Sequence, residues 1–248
     1  MARTADPGPP PSLAELQASG PVALFLDFDG TLVEIAPTPE TILVPAGLAG
    51  RLESLSHRLG GRLALVSGRS TANIAAHLGT LAVARAGSHG VERVNAQGRP
   101  IGPDPAPLPA ELANAMRSFA AGHPGVEYEA KSLGAALHYR AAPQHEHAAI
   151  TFAERQAVSH GLWVKLGKCV VELVNRGVDK ASAVRAFMAE EPFAGALPVF
   201  IGDDVTDEDG FRAARELGGF GIVVGARDGT LARHCLECPA KVHEWLRL

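Results

Sequence analysis

Apolar residues in this chain fall into short unbroken runs that stop at polar groups, joined by stretches where they recur every three or four positions. The first run, Val22–Leu26, ends at Asp27-Phe28-Asp29-Gly30-Thr31. A run bounded this sharply predicts a strand buried on both faces, as in a parallel sheet. Leu48, Leu52, Leu55 and Leu59 predict a helix over 46–59, stopped by Gly60-Gly61. A second strand is expected over 63–66, ending in Ser67-Gly68-Arg69-Ser70, then a helix over 70–78 and a third strand over 81–86. The alternation of strand and helix predicts an α/β domain with a parallel sheet.

The rhythm breaks over 95–109, where Gly98, Gly102 and several prolines predict a boundary. Beyond it the pattern predicts a helix over 111–121 and a hairpin of 126–131 with 135–140 across Ser132-Leu133-Gly134. A helix over 143–159 and a second pair, 162–166 with 169–174 around Gly167-Lys168, complete a small α+β layer. The parallel pattern resumes at Lys180, with a helix over 181–189 and a strand over 198–201 ending in Gly202-Asp203-Asp204. A helix beginning in 205–209 and a last strand over 222–224 follow. The expected organisation is a flexible tail over 1–20 with a short helix near 12–18, a core from 21–97 and 176–248, and an inserted domain over 98–175.

Composition narrows the class. The 248 residues are 46% hydrophobic with a net charge of −4, so no basic excess points to nucleic acid. No apolar stretch reaches membrane-spanning length. The proline-rich start has no apolar core of a signal peptide, which gives a cytoplasmic expectation, with no membrane partner and a monomer. Of three cysteines, Cys169 lies in an apolar run, and Cys235-x-x-Cys238 has no second pair to complete a zinc site; all are expected to be reduced.

In a parallel sheet the carboxyl ends of the strands share one edge, where ligands bind. That edge gathers Asp27 and Asp29, Ser67, and Asp203 and Asp204, with Lys180 opening the helix before the later strand. The paired acids call for a cation and the hydroxyl and ammonium for an anion, which together describe a phosphate–Mg2+ site. Each member has a plainer reading: Asp29-Gly30 as a turn, Ser67 as a helix cap, Lys180 as a solvated side chain, Asp203-Asp204 as a cap for a helix dipole. An EF-hand is excluded, since Thr31 and Leu32 occupy the positions that would need an acid or amide and a glycine.

Taken together, Asp27-x-Asp29-Gly30-Thr31, Ser67, Lys180 and Gly202-Asp203-Asp204-x-x-Asp207 resemble the four motifs of the haloacid dehalogenase superfamily. The insert resembles its αββαββ cap, type C2B. Within that superfamily the chain is most similar to the trehalose-6-phosphate phosphatases, on Gly87-Ser88-His89-Gly90-Val91-Glu92, Glu129-x-Lys131, Leu137-His138-Tyr139-Arg140 and Gly167-Lys168-Cys169-Val170-Val171-Glu172. The resemblance implies a Rossmann-like core with a cap that closes over it, and a Mg2+-dependent phosphoric monoester hydrolase acting on a phosphorylated disaccharide. It implies Asp27 as nucleophile, Asp29 as acid and base, and Ser67 and Lys180 as stabilisers of the transferring group. Asp27, Asp203, the Asp29 carbonyl and Asp204 are implied at the metal, with Gly30 and Asp207 in support. Thr31, Gly68, Arg69, His89, Glu129, Lys131, Arg140, Lys168 and Glu172 are implied on the substrate side.

The alternation of a strand puts Glu129 and Lys131 on one face, and Lys168 and Glu172 likewise. A solvated face of alternating charge is the plainer account of those four. Two departures from the resemblance are Ala181, where glycine is frequent, and the absence of a proline in Val174–Gly177. The rival readings are another C2-capped sugar phosphatase, acting on sucrose-phosphate or mannosylglycerate-phosphate, and a non-catalytic module keeping the fold. A phosphoacceptor receiver domain is too short to match.

Overall fold

The computed structural model describes residues 7–36, 41–102, 108–131, 134–167, 169–175 and 179–248, without the side chain of Lys131. By its internal contacts the chain forms two units, Met1–Asp104 with Asp179–Leu248, and Pro105–Val178.

The first unit is built on β1 (Val22–Leu26), every residue of which is at most 1% exposed. Successive side chains of a strand point to opposite faces, and both faces are covered. Val22, Leu24 and Leu26 pack with helices α2 (Leu48–Arg58), α3 (Thr71–Leu78) and α8 (Pro239–Leu246). Ala23 and Phe25 pack with α6 (Lys180–Met188) and α7 (Asp207–Glu216), where Phe25, Phe187 and Phe193 cluster at centroid distances of 5.3–6.1 Å. This is why the run is unbroken rather than alternating.

Around β1 the sheet runs β11 (His234–Leu236), β10 (Phe220–Val224), β9 (Leu197–Gly202), β1, β2 (Leu63–Val66), β3 (Ala84–Gly87) and β4 (Glu92–Val94). All neighbours are parallel except β3 and β4. β1 pairs with β2 through Leu26 and Leu65 and with β9 through Leu26 and Ile201, so Asp27, Ser67 and Gly202-Asp203 emerge at one edge.

The α/β reading of the sequence matches this sheet, but two strands depart from its details. The expectation that 222–224 ends the sheet is corrected by β11, and β4 is an added antiparallel edge. Both are three residues long and half-buried, so neither offers an apolar run to read. Within the stretch read from sequence as a flexible tail with a short helix, residues 8–20 make defined contacts with the rest of the first unit. The Cys235 N–H donates to the Gly8 carbonyl (3.0 Å), the Trp245 indole donates to the Pro11 carbonyl (2.8 Å), and α1 (Leu13–Ser19) starts at a Ser12–Glu15 capping box. Residues 98–102 also group with the first unit. A turn at Asn95–Gly98 sends the chain back along β4, and Ile101, 6% exposed, enters the core beside α6.

The second unit carries its own sheet, β5 (Glu127–Lys131), β6 (Gly134–His138), β8 (Val170–Asn175) and β7 (Leu162–Gly167), antiparallel throughout. Helices α4 (Ala110–Gly122) and α5 (Glu146–His160) pack on it through Leu112, Met116, Ala149 and Ala153 against Leu137, Val171 and Leu173. No helix among the described residues is long and apolar enough to cross a membrane.

Candidate active site

Asp27 follows β1 directly and is 4% exposed; its backbone N–H still donates to the Ile201 carbonyl (2.9 Å). Its Oδ1 accepts from Lys180 Nζ at 2.8 Å, and the same ammonium donates to Asp207 Oδ1 at 2.5 Å. Lys180 is the first residue of α6, set by an Asp179–Ser182 capping box, and is 3% exposed. Asp207, fully buried in the first turn of α7, uses Oδ2 to accept the backbone N–H groups of Asp203 (3.0 Å) and Asp204 (2.9 Å). One carboxylate therefore fixes both the lysine and the loop after β9.

Two glycines make room for these acids. A Cβ on Gly202 would overlap the Asp207 carboxyl, and one on Gly30 would overlap that of Asp203. Gly30 also sits at φ +75°, a left-handed conformation that favours glycine.

Asp27, Asp203 and Asp207 bring carboxylate oxygens within 4.8 Å of one another, the only such group among the described residues. One lysine cannot neutralise three ionised acids. Burial, with Asp207 and Asp203 nearby, pushes Asp27 up to about 8 despite Lys180. Burial, then Asp207 and Asp204, pushes Asp203 up to about 6. Burial alone would lower the Lys180 pKa, but Asp27 and Asp207 hold it above the ordinary lysine value. Asp203 Oδ1 is buried and has no hydrogen-bond partner among the described residues. Surplus negative charge and an orphaned carboxylate oxygen fit a hard divalent cation bound through oxygen.

The other strand-end residues form a second cluster. Asp29 is held by Arg69 in a bidentate pair, Nε to Oδ2 and Nη2 to Oδ1, both 2.7 Å. Arg69 also donates to Asn73 Oδ1 (2.8 Å) and lies 5.9 Å from the centroid of the Phe28 ring. The loop after Asp29 turns back on itself through Gly30 N–H to the Val33 carbonyl (2.8 Å), burying Thr31, whose hydroxyl lacks a partner among the described residues. Ser67 is 1% exposed and accepts from the Arg69 backbone N–H (3.1 Å). The His89 ring lies against Gly68, where a Cβ would crowd it. Ser88 and His89 both have positive φ, +51° and +58°, and their N–H groups donate to the Arg69 and Ser67 carbonyls.

Two of the expected residues have partners of their own in the structure. The Asp204 carboxylate accepts from the Val205 N–H (2.6 Å), lies 3.6 Å from Arg227 and is largely exposed, outside the three-acid group. Arg69, expected on the substrate side, is engaged by Asp29. Among residues not anticipated, Glu92 accepts from the Thr71 N–H and hydroxyl and from Ser88 Oγ, clamping the two loops. His243 of α8 reaches the Leu32 carbonyl (2.8 Å). Glu92 ends the Gly87–Glu92 stretch already singled out in the sequence; His243 has no local signal.

In the second unit, Glu129 and Glu172 share the sheet face away from the helices, and Glu129 Oε2 meets His138 Nε2 at 2.8 Å. Arg140 is exposed just past β6. Lys168 and the Lys131 side chain lie outside the described residues.

The parallel core, its strand-end aspartates and the inserted α+β unit define a haloacid dehalogenase-type fold. The sequence profile of the trehalose-phosphatase family matches residues 25–236. A trehalose-6-phosphate phosphatase of Escherichia coli K12 is 40% identical over 234 residues, covering 94% of this chain and 88% of that protein. A trehalose-6-phosphate phosphatase related protein of known crystal structure aligns with TM-score 0.66 at 27% identity over 91% of this chain and 95% of its own. The C-terminal domain of C. albicans trehalose-6-phosphate phosphatase aligns with TM-score 0.72 over 98% of both chains; at 21% identity this is a likeness of fold. The chain belongs to the trehalose-phosphatase family.

Proposed function

We propose that this enzyme hydrolyses trehalose 6-phosphate to trehalose and inorganic phosphate through an aspartyl-phosphate intermediate. The observation that carries this reading is the buried Lys180–Asp27–Asp207 arrangement beside Asp203, at the sheet edge of a trehalose-phosphatase family chain. An Asp27 oxygen attacks phosphorus in line and the bond from phosphorus to the sugar oxygen breaks. Asp29 protonates the departing sugar oxygen and then takes a proton from the water that cleaves the acyl phosphate. Because both Asp29 oxygens accept from Arg69, proton delivery requires one of those bonds to be given up. Lys180 neutralises Asp27 and the developing charge, with Ser67 and the Gly30-Thr31 amides as further donors.

Asp27, Asp203 and the Asp29 carbonyl would hold Mg2+, which would supply positive charge against the phosphoryl oxygens. Asp207 contributes indirectly, by placing Lys180 and the 203–204 backbone. Glu129, Lys131, Arg140, Lys168 and Glu172 are assigned to the sugar hydroxyls and phosphate, since carboxylates accept and ammonium and guanidinium groups donate hydrogen bonds.

The test is phosphate release from trehalose 6-phosphate, sucrose 6-phosphate, glucose 6-phosphate and mannosyl-phosphoglycerate, with Mg2+ and with chelator. Mg2+-dependent preference for the first supports the whole reading. Preference for another member keeps the chemistry and discards the sugar; no release from any discards catalysis.

A further inference from the structure

Parallel strands are usually joined through a helix, which fills the space over the sheet. β10 and β11 are parallel, yet residues 225–233, which join them, contain no helix. The connection is pinned through its backbone. The Leu231 N–H donates to Glu208 Oε2 (2.7 Å) and the Arg233 N–H to the Gly221 carbonyl (2.9 Å). Between this connection, the start of β10 and the end of α7 lies a cavity of about 460 Å³, wholly within the first unit. Asp27, Asp203 and Asp207 do not line it.

The lining is one-sided in charge. Arg215, Arg227 and Arg233 meet a single acid, Asp228, which leaves an excess of two positive charges in a chain whose net charge is −4. Arg227 is partly engaged, 3.6 Å from Asp204 and 4.0 Å from Glu208. Arg215 and Arg233 make no ion pair among the described residues. Their neighbours do: Arg212 pairs with Asp209 (2.8 Å), and Arg185 takes Glu216 (2.6 Å), the acid next to Arg215 in sequence. Guanidinium groups match carboxylate and phosphoryl oxygens in geometry as well as charge. The rest of the wall is apolar, with buried Phe220 and partly exposed Leu231. A volume in the range of small-molecule pockets, an apolar wall and a few charged groups fit an organic ligand better than a bare ion.

We propose that this cavity binds a small organic anion, a metabolite whose phosphoryl or carboxylate group is held by Arg215 and Arg233 and whose carbon skeleton lies against Phe220 and Leu231. It is a second site, distinct from the acids at the sheet edge, and it stands whichever sugar phosphate the enzyme cleaves.

Amide NMR of the full 15N-labelled chain with Mg2+ tests it, because Gly229 and Leu231 report the cavity while Gly30 and Asp203 report the sheet edge. The probes are glycerol 3-phosphate, succinate and inorganic phosphate. At least one of the two organic anions is expected to shift the cavity amides saturably, about tenfold more tightly than inorganic phosphate. Saturation by glycerol 3-phosphate alone assigns a phosphoryl ligand, and by succinate alone a carboxylate. Arg215→Ala/Arg233→Ala should weaken that binding at least about tenfold, with the Gly30 and Asp203 amides at their wild-type positions. Arg233→Gln alone should weaken it in the same direction. Cavity amides that stay still with both organic anions overturn the proposal. So does inorganic phosphate binding there as tightly as either of them, or an affinity unchanged in the arginine variants.

Discussion

Asp27 is placed where a carboxylate is least comfortable, and its substitution should separate chemistry from stability. Asp27→Asn is expected to reduce phosphate release to background while raising the melting temperature of metal-free protein, because it removes one of the mutually repelling buried acids. A variant that keeps substantial turnover would remove Asp27 as nucleophile. Lys180→Met has the opposite effect on the fold: stripped of their ammonium, Asp27 and Asp207 are left buried together, and a cost of about 3–5 kcal/mol is expected by denaturant titration. The pH dependence has a defined sign. Asp203 and Asp27 have folded pKa values of about 6 and about 8, above the ordinary aspartate value of 3.8. Each contributes stability that is complete below the unfolded value and is lost as pH rises through the folded one. Metal-free protein should therefore melt at a lower temperature at pH 8 than at pH 5.5, with a smaller drop in Asp203→Asn. Added Mg2+ should raise the melting temperature more at pH 8, where protons no longer compete for the acids.

At the scale of elements, β11 depends on contacts from far away in sequence. It pairs with β10 on one side and receives the Gly8 carbonyl on the other, while α8 is tied to Pro11 through Trp245. Deleting residues 1–12 should lower the melting temperature by several degrees and shift Trp245 emission to the red, best read in a Trp163→Phe background; unchanged values would show that the strap contributes nothing. The same elements show what a sequence discloses. β1, β2 and β9 were legible because burial on both faces demands unbroken apolar runs, and their ends mark Asp27, Ser67 and Asp203. Glu92–Val94 and His234–Leu236 were not, because a half-buried edge strand is defined by backbone pairing and not by composition. The engagement of Arg69 by Asp29 and the outward turn of Asp204 are choices of side-chain direction, which spacing does not encode.

At the scale of the molecule, the described residues of the second unit pack into a core of their own, from Leu112 to Leu173. Expressed alone, Pro105–Val178 should fold, giving dispersed amide resonances and a cooperative thermal transition; a random-coil spectrum would refute its independence. The first unit is interrupted, and its central strand is shared between the two segments. β1 lies between β2, which follows soon after it, and β9, which lies beyond the insert. On a ribosome, β1 is therefore made early and left with one side unpaired until residue 202 emerges, an interval on the order of 10–30 s. The insert can mature within that interval, while an apolar strand awaits its neighbour. Translation speed and chaperone access between residues 26 and 202 thus become determinants of yield, and slow codons within the insert would prolong the exposure of Val22–Leu26.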